Sequence, residues 1–450
     1  MNNKTQNLTT GNLFTQILFF SLPLIASNLL QVLFNLADVS VVGRFAGDIP
    51  LGAVGSTTTL VYIYVGILMG MSIGTNILTA HSIGVGRKDV YDKTIHTALI
   101  INLVEGIILF VIGQLTSEFV LNLLGTKEEF LSGAMLYMRI YFIGLPAQAI
   151  YNYGNAVYSA HGNTRKPLVF LSIAGILNIF LNLFFVIVCH MAEAGVAAAS
   201  VISLYVSAIC ILISFMTKDS RIKLSIKKLK YDKTIGAGIL RLGISSGIQN
   251  AIFQIANLFI QGSVNTFPYI VVAGNSAAQN ADSLVYDVMA AFYTACNSFM
   301  GQNYGAGNKK RVTMTYFISL GYALVIGIIM GFTLVLFGNE FLSIFTTNSD
   351  VINAGMQRLK IMGICYGFSA FMDCTIAASR SMGKSLVPTV IVIMGSCVFR
   401  IIWVYTIFAH FHTLPSLYLL YIFSWTITSV AEIIYFIHIY RHAWSYSPKH

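Results

Sequence analysis

The chain has 450 residues, of which 56% are hydrophobic and only 10% charged, with a formal net charge of +10. Soluble domains are about a quarter charged, so this composition excludes a soluble globular fold and implies a polytopic membrane protein. The basic excess calls for no nucleic-acid partner, because Lys and Arg are scattered between apolar runs rather than gathered in one patch.

In chain order, the apolar runs predict an all-α protein of twelve spans, each long enough to cross a bilayer as a helix. They cover 13–42, 51–82, 92–116, 130–158, 167–189, 194–216, 235–266, 268–301, 313–337, 351–380, 387–409 and 414–439. The ten-residue alternating segments of a membrane barrel are not found. The polar start MNNKTQNLTTGN lacks the pattern of a removable signal peptide, and the sequon at Asn7 reads as a chance match. The six cysteines lie within apolar segments with no CxxC pair, as small packing residues do.

Lys and Arg orient the spans. The initial tail and every second loop hold Lys4, Arg87, Lys88, Lys93, Arg165, Lys166, Lys309, Lys310, Arg311, Lys384, Arg441 and Lys449, while the opposite loops hold little beyond Arg44 and Lys127. Cytoplasmic loops are the Lys/Arg-rich ones, which puts both termini in the cytoplasm. The run 217–233 carries seven basic residues. It reads as a solvated linker, with contact to anionic lipid as the alternative. The expected division is residues 1–216 as one six-helix lobe, 217–234 as a basic linker and 235–450 as a second six-helix lobe.

The chain repeats itself. HSIGVGRKDV at 81–90 matches QNYGAGNKKRV at 302–312, and HGNTRKP at 161–167 matches MGKSLVP at 382–388, both at an offset of 221. FNLAD at 34–38 lies over FQIAN at 253–257 at an offset of 219. Six spans per half is an even number, so the repeats are parallel.

The leading helix of each half carries an amide-rich stripe. Asn28, Gln31, Asn35 and Asp38 step by three, four and three; Asn250, Gln254, Asn257 and Gln261 step by four, three and four. Each set lies on one helix face. A carboxylate in hydrocarbon costs roughly 2.5 kcal/mol or more, so such a stripe turns toward a bundle interior or an aqueous cavity. Interhelical bonding by amides is the plainer account. Two symmetry-related stripes favour a wet cavity between the halves. Asp38 is replaced by Asn257 in the second half, so an ion-exchanging group is expected in the first half alone.

These residues resemble the multidrug and toxic compound extrusion (MATE) family of antiporters. The likeness runs over nearly the whole chain through FNLADVSVVGRFAG, SIGVGRKD, SAHGNTRKPL, the echo in span 7, and SRSMGKSLVP followed by FRIIW. The resemblance implies a V-shaped bundle of two six-helix lobes that exports cationic, amphipathic compounds against inward H⁺ or Na⁺ by alternating access. It implies a cation site at Asp38, Asn178, Asn182 and Ser200. Some members carry a second carboxylate where this chain has Asn182, which leaves one formal negative charge. Another branch uses carboxylates in spans 7 and 10. Span 7 here offers only amides, and Asp373 lies near the span-10 position although Ser369 fits the register better. Oxygen ligands suit a hard cation, and a carboxylate also carries a proton, so either ion fits.

Pro23 interrupts span 1 fifteen residues before Asp38. It frees a backbone carbonyl and allows a kink, so it is the candidate hinge. Asp282 and Asp287 in span 8 either line the cavity or pair structurally. Glu105 and Glu432 are expected to pair with neighbouring helices, and Arg400 needs a counter-charge or carbonyls. The remaining expectations are a plasma-membrane protein acting as a monomer, with organic cations as substrates, lipid as surroundings, and no cofactor beyond the coupling ion. The rival readings are a lipid-linked oligosaccharide flippase and a membrane-embedded enzyme. The first is disfavoured by Asp38 and the amides where phosphates would want bases. The second is disfavoured by the lack of HExxH, DDxxD or a clustered Ser–His set.

Overall fold

The computed structural model describes residues 8–217, 222, 224, 225, 227 and 229–445. Lys4, Lys449 and much of the basic run 217–233 lie outside them. The described residues form helices α1 (Leu13–Phe45), α2 (Asp48–Val85), α3 (Lys88–Leu123), α4 (Glu128–Phe142), α5 (Leu145–Ala160), α6 (Arg165–Leu183) and α7 (Ala192–Met216). The second half holds α8 (Lys233–Val264), α9 (Tyr269–Gly305), α10 (Lys309–Leu336), α11 (Gly338–Ser343) and α12 (Ser349–Ser381). It closes with the short α13 (Leu386–Val392), α14 (Phe399–Trp403) and α15 (Ala409–Phe411), then α16 (Leu414–Ser445). No strand occurs among the described residues.

Nine of these helical stretches are long and apolar enough to span a membrane, and α4 with α5 makes a tenth. The remaining two spans are α8 and α9, 32 and 37 residues long. Their length exceeds the roughly 20 residues a bilayer requires, and the amide-rich stripes lower their hydropathy. Twelve spans result, six per half.

The span expected at 130–158 is broken by 47° between α4 and α5. Pro146 stands in the first turn of α5, where a missing N–H costs nothing and the fixed φ starts a helix afresh. The end of the fifth span is also irregular, since Phe184–Val188 is π-helical. The eleventh span has π-helical turns at Ile393–Val398 and Val404–Phe408. At the repeat offset of 221, Phe184–Val188 falls on Val404–Phe408 to within a residue. The repeat extends to backbone detail, because Gly86 and Gly307 share φ of 74° and 70°, and Gly162 and Gly383 share 75° and 78°. Each ends a helix in the left-handed conformation that glycine adopts without penalty.

The described chain groups into two compact units. Unit 1 takes Ala26–Ala251; unit 2 takes Leu8–Ile25 and the chain from Ile252 onward. The first part of each leading helix, up to Ile25 in α1 and Ala251 in α8, thus packs with the other half of the sequence. In unit 2, Leu13, Ile17, Phe20 and Leu24 of α1 join a core with Phe292, Phe299 and Tyr316. The chain start is fastened there as well. Arg311 donates to the carbonyls of Leu8, Thr10 and Gly11 at 3.1, 3.3 and 2.8 Å, and Asn303 donates to Leu8 O at 3.1 Å. In unit 1 the start of α8 lies against α2. A Cβ on Gly70 would meet the Gly247 backbone at 2.2 Å, and one on Gly74 would meet Ile239 O at 2.6 Å. Small residues spaced by four on both helices permit this approach.

Candidate cation site

The site lies wholly in unit 1 and is assembled by three helices. Asp38 comes from the last third of α1, Asn178 and Asn182 from consecutive turns of α6, and Ser200 from α7. Asn178 and Asn182 are spaced i, i+4 and both point inward, at 6% and 0% exposure. One contact sets the spacing of α1 and α6. Gly175, one turn before Asn178, has no side chain, and the ring of Phe34, one turn before Asp38, occupies that space. A Cβ built on Gly175 would fall 1.8 Å from two ring carbons of Phe34. Helix periodicity carries this contact forward, one turn along α1 to Asp38 and two turns along α6 to Asn182.

The four polar side chains close a ring. Asn182 Nδ2 donates to Asp38 Oδ1 and to Asn178 Oδ1 at 3.1 Å. Asn178 Nδ2 donates to Ser200 Oγ at 3.2 Å, and Ser200 Oγ donates to Asp38 Oδ2 at 3.2 Å. Both carboxylate oxygens therefore accept from neutral donors, the arrangement that suits an anionic Asp38. Asn182 Oδ1 is buried with no hydrogen-bond partner. It is an oxygen one amide rotation away from facing Asp38. Tyr137 and Tyr141 of α4 lie within electrostatic reach of Asp38, their rings stacked with centroids 5.9 Å apart. Sequence reasoning missed this pair, although the i, i+4 tyrosines of a short amphipathic helix were a readable signal.

The second half holds no counterpart. At the repeat offsets, Asn257, Phe399, Trp403 and Tyr421 stand where Asp38, Asn178, Asn182 and Ser200 stand. Phe399 and Trp403 pack with centroids 5.7 Å apart. Aromatic packing has replaced the polar ring.

The other singled-out residues are placed as follows. Asn28 and Gln31 are half-buried and Asn35 is exposed on α1. Asn250 donates to Gly66 O at 3.0 Å. In unit 2, Gln254 is half-buried and Asn257 exposed, while Gln261 accepts from Asn275 at 3.4 Å and Gln279 at 3.3 Å. Asp282 is paired. Arg358 holds its Oδ2 through Nε at 2.9 Å and Nη2 at 2.6 Å, and Tyr366 donates to Oδ1. Arg358 also donates to Asn275 at 2.8 Å and lies over the rings of Tyr418 and Tyr421. Arg358 went unremarked in the sequence, although a lone arginine inside a span needs a carboxylate. Asp287 is half-buried on α9, and Asp373 on α12.

The expected pairing of Glu105 needs correction, since both its carboxyl oxygens are buried without partners. The Glu432 oxygens also make no hydrogen bond, but Arg380 of α12 lies within their electrostatic reach. Arg400 has Asp373 of α12 within electrostatic reach. Its Nε donates to Ser424 at 3.1 Å, and its guanidinium lies over Phe253, Tyr421 and Trp425 at 5.3, 4.7 and 6.0 Å.

The MatE family profile matches residues 23–184 and, again, 245–406. The chain belongs to the MATE family. Its two matches are the two halves of the repeat. Among curated MATE relatives, "Probable multidrug resistance protein YpnP" of Bacillus subtilis is 29% identical over 88% of this chain and 89% of that protein. "Probable multidrug resistance protein NorM" of Thermotoga maritima is 24% identical over 84% of this chain and 82% of that protein. A structure titled "Crystal structure of MATE in the bent conformation" superposes with a TM-score of 0.90 at 20% identity, covering 98% of this chain and 99% of that one. The chain is thus a multidrug-efflux type MATE transporter with the MATE fold.

Proposed function

We propose that this MATE chain is a secondary active antiporter that exports cationic or amphipathic organic compounds in exchange for inward H⁺ or Na⁺. Asp38 is the ion-exchanging residue, and Asn178, Asn182 and Ser200 complete its seat. The supporting observation is the closed ring in which both Asp38 oxygens accept from Asn182 and Ser200. An arriving ion upsets that ring. A proton turns one carboxylate oxygen into a donor, which then faces the Asn182 amide N–H₂. A sodium ion likewise needs oxygens, not N–H groups, around it. Rotation of the Asn182 amide answers both, by turning its unpartnered Oδ1 toward Asp38.

The ion then reaches cargo through α1. Its residues up to Ile25 pack in unit 2 and those from Ala26 pack in unit 1, and Pro23 stands two residues before that division. Pro23 is the bend that responds to the charge of Asp38. A ligand shifts the balance between two shapes of the helix only by binding them unequally, and the ring of unit 1 provides the inequality.

The substrate-facing residues in this reading are Asn28, Gln31, Asn35 and Asn250 in unit 1 and Gln254, Asn257 and Asp287 in unit 2. Asp282 is left to its pair with Arg358. The chain acts as a monomer in the plasma membrane with both termini cytoplasmic, following its Lys/Arg distribution, and performs no covalent chemistry. Dye efflux from cells, with and without Asp38→Asn, across pH and Na⁺ concentration tests the proposal. Loss of ion-stimulated efflux at unchanged expression is expected. Untouched efflux removes Asp38 from the mechanism.

A further inference from the structure

Between α6 and α7 runs a groove of about 450 Å³ that the cation site does not use. Lys166, Val169 and Phe170 line it from one helix, and Cys210, Ile213, Ser214 and Thr217 from the other. The helices are antiparallel neighbours, so the first turn of α6 meets the last turn of α7. The lining is accordingly graded. Lys166, Ser214 and Thr217 gather at one end, while Val169, Phe170, Cys210 and Ile213 form the other. Seven residues separate Thr217 from Cys210, roughly 10 Å along a helix. Such a depth matches that from headgroup to upper acyl chain.

Among the described residues the polar end carries positive charge and no acidic side chain. Arg165 and Lys166 occupy the first turn of α6, with no acidic residue there. Helix dipoles disfavour cations at that end, so three positive features converge without local compensation. No ion pair among the described residues engages either side chain. Lys166 is nevertheless fixed. Its ammonium sits 5.4 Å over the Tyr158 ring, and the Tyr158 hydroxyl is itself bonded to Ser214 Oγ. Thr217 Oγ1 at the same end donates to Ser214 O at 2.9 Å, so the ammonium of Lys166 is the group left to meet an anion.

We propose that this groove seats one anionic phospholipid of the adjoining leaflet, with its phosphate on Lys166 and an acyl chain along Val169, Phe170 and Ile213. Charge complementarity selects the headgroup and the apolar end selects a lipid over free phosphate. The α6–α7 pair also carries Asn178, Asn182 and Ser200, so lipid in the groove braces the helices that hold the cation ring.

The test uses the full chain in nanodiscs of phosphatidylcholine containing a minor fraction of fluorescent phosphatidylglycerol, read by energy transfer to the bound lipid. Wild-type protein is expected to enrich the anionic lipid about tenfold over phosphatidylcholine at one site per chain. Lys166→Gln, which keeps the stem, should abolish that preference, and Lys166→Arg should retain it. Val169→Trp fills the apolar end and should reduce occupancy by either lipid. Inorganic phosphate should not displace the probe. Equal enrichment in wild type and Lys166→Gln overturns the proposal, as does full displacement by phosphate or unchanged occupancy in Val169→Trp. Circular dichroism and a monodisperse elution confirm that each variant is folded. Since the readout is lipid and not efflux, its outcome is independent of the antiport reading.

Discussion

Gly175→Ala places a methyl group where the Phe34 ring now lies, 1.8 Å from two of its carbons. Bonded geometry aside, carbon atoms do not approach nearer than about 3.0 Å, so ring or helix must yield by at least about 1.2 Å. Overpacking of this kind costs roughly 1–3 kcal/mol. The same displacement opens the distance between α1 and α6. The bond from Asn182 of α6 to Asp38 of α1 lengthens with it, and hydrogen bonds to a charged group contribute about 1.5–3 kcal/mol each. Na⁺ affinity at Asp38 should therefore fall by about tenfold or more, at about 1.4 kcal/mol per decade, whereas a proton is held no more weakly by a carboxylate that has lost a donor. The assay is dye efflux from everted vesicles as a function of Na⁺ concentration at fixed pH, normalised to protein in the membrane. Gly175→Ala should raise the Na⁺ concentration for half-maximal efflux. Phe34→Ala combined with Gly175→Ala should restore part of the loss, as coupling between touching residues requires. Wild-type ion dependence in Gly175→Ala, or no rescue in the double variant, refutes the reasoning that this contact positions the ring.

Asn182→Asp adds a second carboxylate to a site that holds one, and should tilt coupling toward Na⁺; efflux rates with and without Na⁺ at fixed pH measure the change. Pro23→Ala should weaken the dependence of efflux on the coupling ion, and a variant with the wild-type rate and the same pH profile would make the bend irrelevant. Arg358→Met leaves Asp282 buried beside Tyr366 without its counter-charge, a loss of about 3–5 kcal/mol. It should lower the melting temperature in detergent. Asp282→Asn in the same chain should recover part of that loss, and no recovery would show that Arg358 stabilises through its aromatic neighbours alone.

The twelve spans, the repeat and the polar stripe with Asp38 were legible in the sequence, while Asn178, Asn182 and Ser200 were reached through the family resemblance. Hydropathy runs are long, and the i, i+4 spacing of Asn178 and Asn182 survives any detail of packing. What was not legible depends on backbone geometry or on partners remote in sequence. The break between α4 and α5 preserves hydropathy, so only Pro146 marks it. The role of Gly175 exists only because Phe34, 141 positions away, needs the space. Arg358 and Asp282 each read as an unexplained charge, and they explain one another once α9 and α12 are side by side. Glu105 resists the same logic, since it is buried with neither carboxyl oxygen partnered.

The two opening helices each start life among the residues of the other half. A gene split at the linker would therefore produce two fragments that are both incomplete, each with a rod whose first turns have lost their neighbours and a bundle with a slot left open. Coexpressed, such fragments should find each other by trading rods.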